Sequence, residues 1–113
     1  MITDDKRAFK RTRKKFTVRY SLSEKGVPEH EAVSKNISRG GVYFETFQQF
    51  TAGDVIVCSV TPAGSRSRDS VWQARVVRCE PLSGHMIKTF GTAVEFIRPF
   101  GDSEKALQSF LPA

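Results

Sequence analysis

The chain has 113 residues, of which 39% are hydrophobic and 27% charged, and its formal net charge is +6. That length accommodates one core, and the composition is that of a globular domain rather than a disordered or collagen-like chain. No apolar run approaches the roughly 18 residues of a membrane helix, and the charged start, Met1 to Arg7, has no apolar stretch behind it. Two cysteines, Cys58 and Cys79, cannot staple a small secreted fold, so a cytoplasmic domain with free thiols and no membrane partner is expected.

The first element is a basic arm. Eight Lys or Arg and no acid lie between Lys6 and Arg19, and without them the rest of the chain carries −2. Such a block repels itself and is expected to be flexible until something anionic meets it. It is assigned to residues 1–13, ahead of a folded body over 14–113. Charge alone leaves three uses open: a solvated tail, a nonspecific nucleic-acid arm with steep salt dependence, or an anion site completed by the body.

From Phe16 the pattern alternates. Phe16, Val18, Tyr20 and Leu22 are apolar, with Thr17, Arg19 and Ser21 between them, which predicts a strand with one face on a core. A turn is expected at Gly26-Val27-Pro28 and a second extended run over Glu31–Ile37. After Gly40-Gly41, the residues Val42-Tyr43-Phe44 open another strand, in which Tyr43 and Phe44 face opposite ways and one of them is core. Thr51-Ala52-Gly53-Asp54 is a turn before the β-branched run Val55–Val60. Pro62–Ser70 reads as a hairpin loop, Val71–Cys79 as a strand with Trp72, Ala74 and Val76 on one face, and Pro81–Gly84 as a turn. His85–Ile97 holds the last strand or two. The period then changes: Asp102 or Ser103 caps a short helix whose apolar face is Ala106, Leu107, Phe110 and Leu111. Too short to stand alone, it is expected to dock on the sheet or on a partner. Many short strands at close spacing predict an all-β barrel or sandwich.

Two segments carry candidate chemistry. Arg7-Ala8-Phe9-Lys10-Arg11 has an R-x-x-x-R spacing, and Asn36-Ile37-Ser38-Arg39-Gly40-Gly41 has an N-x-S-x-x-G spacing at a tight turn between strands. Taken singly, the first is common in so basic a stretch. The second could be only a turn, with Asn36 and Ser38 bonding the backbone and glycine supplying unusual dihedrals.

Taken together, in this order and context, the two segments resemble the PilZ domain, a bacterial receptor module for cyclic di-GMP. The resemblance runs from Lys6 to the terminal helix. The family pattern is R-x-x-x-R followed by D/N-x-S-x-x-G, and Asn36 is the asparagine variant. It implies a six-stranded antiparallel β-barrel with a short C-terminal α-helix. It also implies that Arg7 and Arg11 contact the phosphates and guanines, and that Asn36 and Ser38 bond the ligand from the barrel surface, at a guanine edge. Gly41, with Gly40, would let the backbone approach the ligand; Arg39 and Lys6 would add charge. The residue types suit that ligand. A guanidinium grips a phosphate through two parallel hydrogen bonds, donates twice to guanine O6 and N7, or lies flat on a base. Arm ordering over the bound anion would then be the signal to a downstream protein, in a monomer or homodimer. One ligand or a stacked pair both remain open.

Other candidates are weaker. His30 and His85 share no metal-ligand spacing with the cysteines, so no metal or cofactor is expected. Cys58 and Cys79 are expected to be buried, inert thiols. Trp72 is expected in the core ahead of a base-stacking role, and Phe9 could anchor the arm. No Ser-His-Asp order, paired carboxylate, P-loop or dinucleotide fingerprint occurs, so the chain is not expected to be an enzyme. The alternative to a nucleotide receptor is a PilZ-like adaptor that binds protein, or nucleic acid nonspecifically, without the nucleotide. That alternative would be indifferent to Asn36 and Ser38.

Overall fold

The computed structural model describes residues 15–34, 36–64, 70–82, 84 and 86–111. Seven strands and one helix follow in order: β1 (Phe16–Tyr20), β2 (His30–Ser34), β3 (Asn36–Ile37), β4 (Gly41–Thr46), β5 (Val55–Pro62), β6 (Ser70–Leu82), β7 (Thr89–Pro99) and α1 (Ser103–Phe110). All strand pairs are antiparallel, in the spatial order β2-β1-β5-β6-β7-β4-β3.

The strand count differs from six for a topological reason. The expected run Glu31–Ile37 exists, but it changes partner part-way. Its first half pairs with β1 and its second half with β4, at the opposite edge of the sheet. Two strands that follow each other in the chain thus form the two edges of a nearly closed, barrel-like sheet. Ser34 ties the seam: its hydroxyl donates to the Tyr43 carbonyl at 2.5 Å and accepts from the Asn36 amide at 3.0 Å.

Alternation positions the core. Phe16, Val18 and Tyr20 point inward with Phe44, Ile56, Cys58, Val60, Trp72, Ala74 and Val76. Phe44 is the inward member of the Tyr43–Phe44 pair, and Trp72 is buried, stacked on Phe96 at a centroid distance of 4.7 Å. Leu22 does not join them; it is 51% exposed. β1 stops at Tyr20 because Ser21 turns in instead, donating its amide to Val57 O (2.9 Å) while its hydroxyl accepts the Val57 amide (2.8 Å). That exchange ends the alternation one residue before Leu22.

The expected turn at Pro81–Gly84 also moves. β6 continues through Pro81 to Leu82, with Pro81 opposite Phe90, and β7 runs on from Thr89 to Pro99 as one strand. Beyond Arg75, β6 pairs with β7 but no longer with β5, so a proline without an N–H is tolerated on its open side. The Thr51–Asp54 turn is present. Asp54 Oδ2 accepts the Thr51 amide, the Asp54 amide returns to Thr51 O, and Gly53 takes the left-handed φ of 100°.

Asp102 occupies the N-cap of α1 without a side-chain cap bond, and Ser103 docks the helix rather than capping it. Its hydroxyl donates to Phe100 O and accepts the Val71 amide at 2.8 Å, while its carbonyl accepts from Ser70 Oγ. Ala106 and Leu107 are buried, and Phe110 and Leu111 pack at the margin of the core, Phe110 lying 6.2 Å from the Phe16 ring.

The cysteines differ from each other. Cys58 is fully buried, whereas Cys79 is half-buried, its sulfur accepting the Phe50 amide at 3.3 Å. Burial pushes the Cys58 thiol up to about 12. An unfolded chain releases that proton near the ordinary value of 9.0, so the stability this group contributes is whole below pH 9 and is lost as pH climbs to about 12. The expected slope is about 1.4 kcal/mol per pH unit. Tyr20 adds to the same trend, because burial raises its phenol against a smaller lowering by the Phe47 backbone. Urea unfolding of the wild type and Cys58→Ala between pH 8 and 11 tests this. The variant should lose the Cys58 share of the alkaline decline, and equal slopes would refute it.

Candidate functional site

The N-x-S-x-x-G turn joins β3 to β4. Asn36, Ser38, Arg39 and Gly40 are all exposed and lie together within one tight connection. The Ser38 amide donates to Gly41 O at 2.9 Å, closing the turn. The Ser38 hydroxyl accepts the Gly40 amide at 3.2 Å and donates to Gly41 O at a long 3.5 Å, so its proton is easily redirected to another acceptor. The turn therefore offers an amide, a hydroxyl and the exposed Arg39 side by side.

Gly41 has a structural reason that its spacing does not reveal. A Cβ there would fall 2.1 Å from Val94 O and 3.1 Å from the Glu95 Cα, so its empty side is filled by the backbone of β7. Gly40 differs, since a Cβ there would meet nothing closer than Ser38 Oγ at 4.0 Å. Its carbonyl also holds β7, accepting the Phe96 amide at 2.8 Å.

The basic residues Lys6, Arg7 and Arg11, with the rest of the arm over residues 1–13, lie outside the described residues. So do Phe9 and His85. The root of the arm is placed: Phe16 pairs with Ser34, two residues before Asn36, and the Lys15 carbonyl accepts the Ala63 amide at 2.9 Å. Lys15 and Phe16, at the root of the arm, thus lie beside the seam.

Around the turn, the outer face of the sheet carries Tyr43, Ala93 and Glu95. Glu95 meets Arg75 at 3.2 Å, and Arg78 meets Glu80 at 3.9 Å. All four of these charged side chains are half exposed or more, so the pairs stabilise little and leave the guanidinium groups able to change partner. Two residues near the turn carry no motif signal, Ser34 at the seam and Tyr43 beside Asn36. A serine inside an alternating strand and a tyrosine on its outward phase were the available hints. Among the described residues, no group of three or more His, Cys, Asp or Glu could hold a metal ion, and no helix is long and apolar enough to cross a membrane.

Nothing among the curated proteins matches the chain. The fold is similar to the structure of the Bacillus subtilis inhibitor of motility, MotI/DgrA, with a TM-score of 0.64 and 18% identity. That match covers 97% of this chain and 54% of the other, so the chain spans about half the length of that protein. The PilZ domain model matches residues 5–112, from the basic arm through the helix. With that match across nearly its whole length and an antiparallel barrel-like sheet beneath it, the chain belongs to the PilZ domain family.

Proposed function

We propose that this chain is a non-catalytic cytoplasmic receptor for cyclic di-GMP, in which Arg7 and Arg11 of the arm and Asn36, Ser38, Arg39 and Gly40 of the β3–β4 turn hold the nucleotide between them. Gly41 keeps the turn against β7, and Lys6 adds charge. The observation that supports this reading is the position of the arm's root beside the strand that leads into the turn. β1 begins opposite Ser34, at the foot of the strand that bears Asn36. Arg11 is four steps along the chain from Lys15, a reach of up to about 14 Å, and Arg7 is eight steps from it, about 28 Å. Both guanidinium groups can therefore be brought to the turn from a fixed root.

The ligand chemistry suits a dianion with two purines. The arm supplies charge and planar donors, and the turn supplies neutral groups that read an edge. A self-repelling arm gains most from a doubly charged ligand, and the contacts formed must exceed the entropy lost on ordering it. The ordered arm then presents a new surface beside the barrel to a downstream protein.

The test is calorimetric titration of cyclic di-GMP into the wild type, Arg11→Ala and Ser38→Ala at about 0.15 M salt, where loose phosphate attraction is largely screened. Saturable binding in the wild type, weakened at least tenfold in both variants, is expected. Tenfold corresponds to about 1.4 kcal/mol, within the worth of one charge-assisted hydrogen bond. A folded wild type that does not bind would refute the receptor reading and leave a PilZ adaptor acting through protein contacts. A steep salt slope with indifference to Ser38 would mark nonspecific nucleic-acid binding instead.

A further inference from the structure

Tyr43 points away from the core, yet it is only partly exposed. Its neighbours Val42 and Phe44 face inward, so the alternation of β4 sends its ring to the outer wall. What covers it there is β7. A Cβ built on Gly91 would fall 2.0 Å from Tyr43 Oη, 2.8 Å from Cζ and 3.1 Å from Cε1. The ring therefore lies down across β7, in the notch that the glycine leaves, instead of standing into solvent. Gly91 also faces outward, and it is buried because the ring covers it.

The pairing registers place this ring in a row. Asn36 is opposite Tyr43, Tyr43 is opposite Ala93, and Ala93 is opposite Arg78. At about 4.8 Å per strand, the row presents in succession an amide, an aromatic ring, a methyl group and a guanidinium. The ring is seated before any ligand arrives, so a base laid on it forfeits little side-chain entropy. The small residue Ala93 leaves the wall low beside it.

We propose that Tyr43, seated by Gly91, is the stacking floor for one purine base of the bound nucleotide, with Asn36 at the edge of that base and Arg78 at the far end of the row. This rests on the nucleotide reading above and assigns to it a determinant outside both motifs. Stacking on an aromatic side chain tolerates removal of the phenol oxygen but not of the ring.

The experiment titrates cyclic di-GMP into the wild type, Tyr43→Phe, Tyr43→Ala and Gly91→Ala, with thermal melting of each protein. It also follows the Tyr43 ring-proton resonances of the wild type by NMR. Tyr43→Phe should bind within about twofold of the wild type, and Tyr43→Ala should bind about tenfold or more weakly. Gly91→Ala should also weaken binding, because the added methyl displaces the ring. The ring resonances should move upfield at saturation. A wild type that binds, together with unmoved Tyr43 resonances or a stably folded Tyr43→Ala of unchanged affinity, overturns this proposal alone. A wild type that does not bind overturns the receptor reading, and this proposal with it.

Discussion

Gly41→Ala is expected to destabilise the protein by about 3 kcal/mol or more, whatever it does to any ligand. The added methyl would sit 2.1 Å from Val94 O, and that atom is main chain in a strand paired on both sides. A flexible side chain could swing away; β7 cannot. Relief requires β4 to part from β7 near the Gly41–Glu95 pair, which would also strain the bond from the Phe96 amide to Gly40 O. Gly40→Ala is the control. Its Cβ enters open space and its φ lies outside the left-handed region, so it should be near neutral, or stabilising by a few tenths of a kcal/mol through the unfolded chain. Urea unfolding of both variants measures the contrast. A Gly41→Ala protein as stable as the wild type, but unable to bind nucleotide, would return Gly41 to the role its motif implies, close approach to a ligand.

The second large effect concerns Phe16. It is fully buried at the start of β1, between Ser34 of β2 and Pro62 of β5, and its ring faces Phe110 of α1. Phe16→Ala should cost about 3–5 kcal/mol, the usual range for emptying such a site. The loss should also be uneven. An eight-residue helix has no stability of its own, and α1 is held by Leu107, Ala106, the margin contact of Phe110 and the Ser103 hydroxyl. With one face of that seat gone, α1 amides should exchange faster than those of β6 and β7. Phe110→Ala, at a half-buried position, should cost markedly less. A Phe16→Ala protein within 1 kcal/mol of the wild type by urea unfolding would contradict this account of the core.

These two residues also mark what sequence can and cannot carry. Phe16, Val18 and Tyr20, and then Trp72, Ala74 and Val76, announce their inward face by period two, because a half-buried strand leaves that imprint locally. Leu22 keeps the same phase but lies outside, since the Ser21–Val57 exchange that ends the strand joins residues far apart in the chain. Nothing near position 35 signals that the strand before it serves β1 and the strand after it serves β4. At the site, the spacing of Asn36, Ser38 and Gly41 was legible, as was its turn. The reason for the glycine was not, because the atom that excludes a side chain belongs to Val94. Tyr43 was unremarkable until Gly91 was placed beneath it.

Joining β2 to β3 across the seam also governs how the chain meets copies of itself. A sheet with two bare edges is a template for adding strands from other molecules. Here the two terminal strands of the sheet are consecutive in the chain, β2 lies against β4, and Ser34 fastens that approach, so the free side of β2 is covered. Opening the seam would uncover both edges at once. Another open stretch among the described residues, β6 beyond Val76, is guarded by Arg78, Glu80 and Pro81, the residue types that stop a foreign strand from pairing. Self-association of this protein is therefore expected to begin where Ser34 lets go, and not along the outer part of β6.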